Sequence, residues 1–123
     1  KLCEKCKKPA KITPELKSKI SKFLKDLPKK VNRDPYHDFK IFEPSGCLIC
    51  NNFGYKGRIG VFEFLEAGPG FEETILKETS EVALRKLAQS QEMVTMQQDG
   101  VLKVLSGLTS FKEVEHGTGL IEW

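Results

Sequence analysis

All four cysteines of this chain fall into two Cys-x-x-Cys pairs, Cys3/Cys6 and Cys47/Cys50, separated by forty residues. No other feature constrains the fold as strongly. A tight turn of this spacing aims two sulfurs at one point, and two such turns supply the four ligands of a tetrahedral Zn²⁺ with Zn–S bonds of about 2.3 Å. With all four positions filled by protein there is no open place for a substrate, so a metal held this way is structural. Closing a forty-residue loop would stabilise a small fold by about 4 kcal/mol if the chain-entropy treatment of a cross-link is borrowed. That is a large share of the roughly 5–15 kcal/mol typical of a whole domain. Spacing alone leaves two disulfides, a redox-active pair and an iron–sulfur cluster as alternatives, and the interval is longer than in compact zinc ribbons.

At 123 residues the chain has room for one small domain or two subdomains sharing a modest core. Hydrophobic residues at 39% and charged residues at 30% give a globular rather than a disordered balance. No apolar run approaches the roughly 20 residues needed to cross a bilayer. The first residue is Lys1 and a cysteine pair opens at residue 3, so the sequence reads as a piece of a longer protein. Charge is uneven: residues 1–46 hold thirteen Lys/Arg against six Asp/Glu, and residues 47–123 hold seven against eleven. A basic half points to nucleic acid or another anionic surface. A second reason for it is local, because four thiolates on one Zn²⁺ leave negative charge that Lys1, Lys5, Lys7 and Lys8 would offset.

The periodicity predicts a small α+β fold. Thr13 reads as an N-cap and Pro14 as the first helical residue, followed by Leu16, Ile20, Phe23, Leu24 and Leu27 on one stripe. Lys19, Lys22, Lys25 and Lys29 lie opposite, and Pro28 closes the helix. Residues 31–38 form a turn region and residues 39–42 a short strand. A glycine turn at 54–60 should feed a β-hairpin whose strand, residues 58–65 (RIGVFEFL), has apolar side chains facing both ways and is expected to be covered on both sides. After Gly68-Pro69-Gly70 the pattern turns helical: residues 71–78 presenting Phe71, Ile75 and Leu76; a helix capped by Thr79 or Ser80 burying Ala83, Leu84, Leu87 and Ala88; and one starting near Thr95 with Val101, Val104, Leu105 and Leu108. Thr109 is expected to cap a last turn through Val114. The reading is a zinc-stapled subdomain over 1–67, with one helix and a short β-hairpin, then a bundle of three to four short helices over 68–123.

Other candidate sites are weaker. His37 and His116 read as turn or surface histidines, since four cysteines already suffice for a metal. The segment Gly54-Tyr55-Lys56-Gly57-Arg58-Ile59-Gly60 is glycine-rich, but it is not G-x-x-x-x-G-K-S/T and does not lead into a helix. Glu63, set among Val61, Phe62, Phe64 and Leu65, would need a cation such as Arg58 or Arg85, or an edge position. Phe23 falls on the apolar stripe and not among the lysines, which favours core over base stacking. No Walker lysine motif, H-E-x-x-H, G-x-S-x-G or carboxylate pair beside a histidine can be assembled.

The order of motifs carries more than any one of them. Lys1-Leu2-Cys3-Glu4-Lys5-Cys6, Gly46-Cys47-Leu48-Ile49-Cys50 and then Gly54-Tyr55-Lys56-Gly57-Arg58-Ile59-Gly60-Val61-Phe62-Glu63 resemble the tetracysteine region of the type II secretion and type IV pilus-assembly ATPases. Leu84-Arg85-Lys86-Leu87-Ala88, Met93-Val94-Thr95-Met96-Gln97-Gln98-Asp99-Gly100 and Gly107-Leu108-Thr109-Ser110 resemble that family's final helices. The resemblance implies a hexameric cytoplasmic motor, peripheral to the inner membrane through a platform of partner proteins. It implies one Zn²⁺ per chain on Cys3, Cys6, Cys47 and Cys50, with ATP and Mg²⁺ confined to an upstream domain. Gly68-Pro69-Gly70 and the ending from His116 to Trp123 depart from the family pattern. The expected function is a non-catalytic zinc-binding C-terminal segment supporting assembly or partner docking of a homo-hexameric motor. The alternative is an independent zinc-ribbon-like module binding nucleic acid through its basic half, and a thiol oxidoreductase is a third, weaker reading.

Overall fold

In the computed structural model, which describes residues 1–67, 69–77 and 80–123, the first long element forms for the reasons its sequence gives. The Thr13 hydroxyl accepts a hydrogen bond from the Leu16 N–H at 3.2 Å, Pro14 opens helix α1 (Pro14–Asp26), and the chain turns extended at Leu27 before Pro28. Ile20 and Leu27 are buried and Phe23 nearly so, while Lys19, Lys22, Lys25 and Lys29 face water. Before this helix, strand β1 (Lys8–Pro9) pairs antiparallel with β2 (Phe42–Glu43), Lys8 opposite Glu43 and Pro9 opposite Phe42. The Ala10 N–H reaches the Ile41 carbonyl at 2.9 Å and extends that pairing.

Four more helices follow: α2 (Pro69–Lys77), α3 (Glu81–Ser90), α4 (Met96–Leu105) and α5 (Phe111–Thr118). Ser80 caps α3 through the Ala83 N–H, and Thr95 with Gln98 forms a reciprocal capping box on α4. The cap of α5 is Ser110 and not Thr109; its hydroxyl accepts from the Glu113 N–H, and the helix runs past Val114 to Thr118. Helix α4 ends in a Schellman motif. Gly107 adopts φ +76°, its N–H meets the Val104 carbonyl at 2.9 Å, and the Leu108 N–H meets that of Lys103 at 3.0 Å.

The core is shared by α1, α4, α5 and Ile41, the residue that leads into β2. Ile20, Ile41, Val104, Leu105 and Val114 form one buried cluster, and Phe23, Leu27, Val101 and Leu102 form a second. Leu24, Tyr36, Phe111 and Ile121 pack against both. Helices α4 and α5 approach closely at Gly100, where a Cβ would stand 2.8 Å from Val114 Cγ1. Any side chain there forces the two helices apart.

Two expectations need correction. Residues 58–65 run without forming a strand, and no hairpin follows the glycine turn; the two-stranded sheet is built instead from β1 and β2. Among the described residues no strand lies beside 58–65, so side chains take the place of a ladder. Asp99 Oδ2 accepts from the Phe62 N–H at 2.9 Å, Lys103 Nζ donates to the Gly60 carbonyl at 2.6 Å, and the Gln91 side-chain amide bonds both the N–H and the carbonyl of Glu66. Phe62 and Phe64 stack on each other and stay exposed, contrary to the expected cover on both faces. The second correction concerns α2 and α3. They pack on each other, yet Ile75 and Leu76 are exposed and Ala83, Leu84, Leu87 and Ala88 only half-buried, because neither helix contributes to the two core clusters.

Candidate metal centre

Each cysteine pair sits on a turn whose backbone is fixed from several sides. In the first, the Cys6 and Lys7 N–H groups both return to the Cys3 carbonyl, at 3.3 and 3.0 Å. In the second, Leu48–Cys50 forms a single 3₁₀ turn, followed by Asn51 and Asn52 in the left-handed region at φ 53° and 62°. Gly54, at φ +77°, is required where it stands: a Cβ would lie 2.4 Å from the Pro44 Cβ. Its carbonyl accepts from the Cys3 N–H at 2.9 Å, which ties the two turns together.

The four sulfurs converge within 4.8 Å of one another. The Cys3–Cys47, Cys6–Cys50 and Cys47–Cys50 Sγ separations are 3.9, 3.8 and 3.7 Å. Four thiolates at about 2.3 Å from one central ion, tetrahedrally arranged, stand about 3.8 Å apart. A disulfide requires about 2.05 Å, and all four cysteines are free. A cubane cluster spreads its four thiolates over separate corner irons, further apart than sulfurs sharing a single ion. The quartet therefore fits one tetrahedral metal ion.

Backbone donors already favour thiolate. The Gly46 N–H points at Cys6 Sγ (3.2 Å), and the Cys47 and Gly54 N–H groups point at Cys50 Sγ (3.3 and 3.2 Å). At Cys50 burial pulls the thiol pKa upward, but those two N–H groups and the adjoining Cys47 and Cys6 sulfurs outweigh it and bring the value down to about 6. At Cys6 burial prevails over the Gly46 N–H, and the neighbouring thiols add to it, so the value rises to about 11. The metal-free quartet thus favours the thiolate at Cys50 and the thiol at Cys6.

The site is fastened to the helical half by residues that spacing alone did not single out. The Leu2 N–H reaches the Leu108 carbonyl at 2.8 Å, and Tyr55 Oη lies 2.9 Å from Ser110 Oγ. Lys7, expected to offset thiolate charge, instead donates to the Gly107 carbonyl at 2.8 Å, pairs with Glu4 and lies over the Phe42 ring. The Leu2–Leu108 and Lys7–Gly107 partners lie a hundred or more residues apart in sequence and Tyr55–Ser110 fifty-five, so no local pattern announces them. The chain start is joined to the loop at 54–57, through a Leu2–Tyr55 bridge and the Lys56 N–H on the Lys1 carbonyl at 2.9 Å.

The remaining candidates lie elsewhere. His37 is exposed beside Asp38, and His116 is exposed in the last turn of α5; neither joins the cysteines. Lys56 and Arg58 are exposed. Glu63 pairs with neither Arg58 nor Arg85. Its carboxylate accepts from the Met96 N–H at 3.0 Å, at the first turn of α4, where the helix dipole favours a negative charge. Arg85 is taken by Glu81 at 2.6 Å. Among the described residues, no helix is long and apolar enough to cross a membrane.

A converging tetracysteine site held on a small α-rich frame, in this order of motifs, is the arrangement the sequence resemblance implied. The chain belongs to the type II/IV secretion system protein family, whose profile matches residues 1–116. It is 30% identical over 118 residues to the type IV pilus assembly ATPase PilB of Pseudomonas aeruginosa, covering 96% of this chain and 19% of that protein. It is 30% identical over 113 residues to the type II secretion system protein E of Aeromonas hydrophila, and 32% over 113 residues to the type II secretion system ATPase E of Vibrio cholerae. Each of these two matches covers 92% of this chain and 20% of the relative. The chain thus spans about a fifth of the length of the curated relatives it matches.

Proposed function

We propose that this chain is the zinc-binding, non-catalytic C-terminal part of a secretion or pilus-assembly motor, in which Cys3, Cys6, Cys47 and Cys50 hold one structural Zn²⁺. The observation that carries the reading is the convergence of four sulfurs within 4.8 Å of one another, with three of the separations at 3.9, 3.8 and 3.7 Å. Zinc is the ion of choice because an all-thiolate tetrahedral site suits its coordination and leaves no ligand position for chemistry. In this reading ATP and Mg²⁺ are bound upstream, in the part of the polypeptide that the relatives carry and this sequence does not include. The parent works as a cytoplasmic homo-hexamer at an inner-membrane platform.

The segment 58–65 supports a role in docking. It has the composition of a strand covered on both faces, yet Phe62 and Phe64 stand exposed and its backbone is held by side chains. A sheet edge in the catalytic part of the same motor would satisfy both. Elemental analysis of the purified chain should return one zinc per polypeptide and no ATP turnover. Disulfide-linked peptides in place of metal, or hydrolysis by the chain alone, would overturn the proposal.

A further inference from the structure

The second cysteine turn carries large apolar side chains on its outside. Leu48 is 89% exposed, Ile49 53% and Phe53 75%, while the flanking Cys47 and Cys50 sulfurs join the cluster. The tip is rigidly held. The Asn52 N–H bonds the Cys47 carbonyl at 2.8 Å, the Phe53 N–H bonds that of Cys50 at 3.1 Å, and the asparagines between them fix the bend. Three such side chains concentrated on one short turn form a patch that calls for cover.

The charge around the tip says what kind of cover. Segments 1–11 and 43–58, which build both cysteine turns and their supports, hold seven Lys/Arg against two glutamates, Glu4 and Glu43. Glu4 is already paired with Lys7 at 2.9 Å. Lys1, Lys5, Lys8 and Lys56 are exposed and make no ion pair among the described residues. Lys5 belongs to the first turn, whose Cys6 sulfur is 3.8 Å from that of Cys50, and Lys56 follows the second turn by three residues from Phe53. An apolar tip of two aliphatic side chains and one aromatic ring with a basic surround matches the boundary of an anionic bilayer, where apolar side chains enter the acyl region and lysines stay at the headgroups. Nucleic acid fits less well, because only Phe53 of the three offers a planar face to a base, while Leu48 and Ile49 offer nothing to a base or a phosphate.

We propose that the tip formed by Leu48, Ile49 and Phe53, flanked by Lys5 and Lys56, docks on an anionic lipid surface. The inference rests on the metal-held turn proposed above, since the ion would tie this tip to the first cysteine turn that carries Lys5. The test is flotation of the metal-loaded chain with vesicles of phosphatidylcholine, alone or mixed equally with phosphatidylglycerol, with zinc content measured on the same sample. The chain partitions onto the mixed vesicles and not onto phosphatidylcholine alone. Leu48→Ser with Ile49→Ser weakens that partitioning about tenfold, from the apolar area withdrawn, and Lys5→Glu with Lys56→Glu abolishes it. Both double variants keep one zinc and an unchanged circular dichroism spectrum, because all four positions are exposed and none is a cysteine. Absence of binding, binding unchanged in the Leu48/Ile49 variant, or binding of a single-stranded oligonucleotide but not of vesicles each overturns the inference. A chain purified without zinc refutes the metal reading; a zinc-loaded chain that ignores the vesicles refutes this inference alone.

Discussion

Stripping the metal should move the unfolding midpoint by an amount the geometry fixes in advance. In the proposed reading a metal ion would join Cys3 and Cys6 to Cys47 and Cys50, whose sulfurs lie within 4.8 Å of one another, and so close a loop of forty intervening residues. The chain-entropy treatment of such a closure gives about 4 kcal/mol. With a urea dependence of about 2 kcal/mol per molar for a chain of this size, the midpoint should fall by about 2 M on chelation. Replacing all four cysteines with serine should reproduce the shift, with no further effect of chelator. The loss should also be local in hydrogen exchange. Amides of Leu2, Cys3 and Lys56, whose acceptors are Leu108, Gly54 and Lys1, should lose protection first. Those in the buried part of α4, such as Val104 and Leu105, should keep theirs until global unfolding. An unchanged midpoint in both the chelated and the four-serine protein would refute the reasoning, because it would mean that the cysteine turns are held by their hydrogen bonds alone.

Three further outcomes follow from particular contacts. Gly100→Ala should destabilise the chain by about 1–3 kcal/mol in urea titration, because the new methyl meets Val114 at 2.8 Å, and Val114→Ala should recover part of that loss in a double-mutant cycle. Glu63→Gln should lower stability by about 0.5 kcal/mol, less at high salt, since it removes the charge at the start of α4; an equal loss in Arg85→Gln would instead point to an ion pair. In the metal-free chain, thiolate absorbance should rise with pH in separated steps, the first at about 6 from Cys50 and the last at about 11 from Cys6, and Cys50→Ser should remove the first. A single step near the ordinary cysteine value would show that the quartet does not assemble without its ion.

Much of the site was legible because cysteine spacing is a local statement about geometry. Two turns of the right form needed only to meet, and they do. Helix α1 was equally legible, since Thr13, Pro14 and the apolar stripe act within a few residues of each other. The cap of α5 falls at Ser110, one position past the expected Thr109, because the two carry the same chemistry and the choice depends on which hydroxyl faces the Glu113 N–H. Residues 58–65 have the composition of a strand but form none. A strand is a property of a pair, and pattern alone cannot tell whether the partner belongs to the same stretch of chain. The Lys7–Gly107 and Tyr55–Ser110 contacts lay beyond any sequence rule, because they depend on how α4 and α5 sit against the cysteine turns.

The meeting of Lys1 with Lys56 and Gly57 has an architectural consequence. Residues 1 and 57 lie side by side, so the two ends of the excursion between them are already within the span of a few residues. The obstacle to excising it is exposure, not connectivity. Removing it takes away Ile20, Phe23 and Ile41 and uncovers Val101, Val104 and Val114. A homologue built without the excursion must therefore repaint those three positions or shield them with another part of the protein.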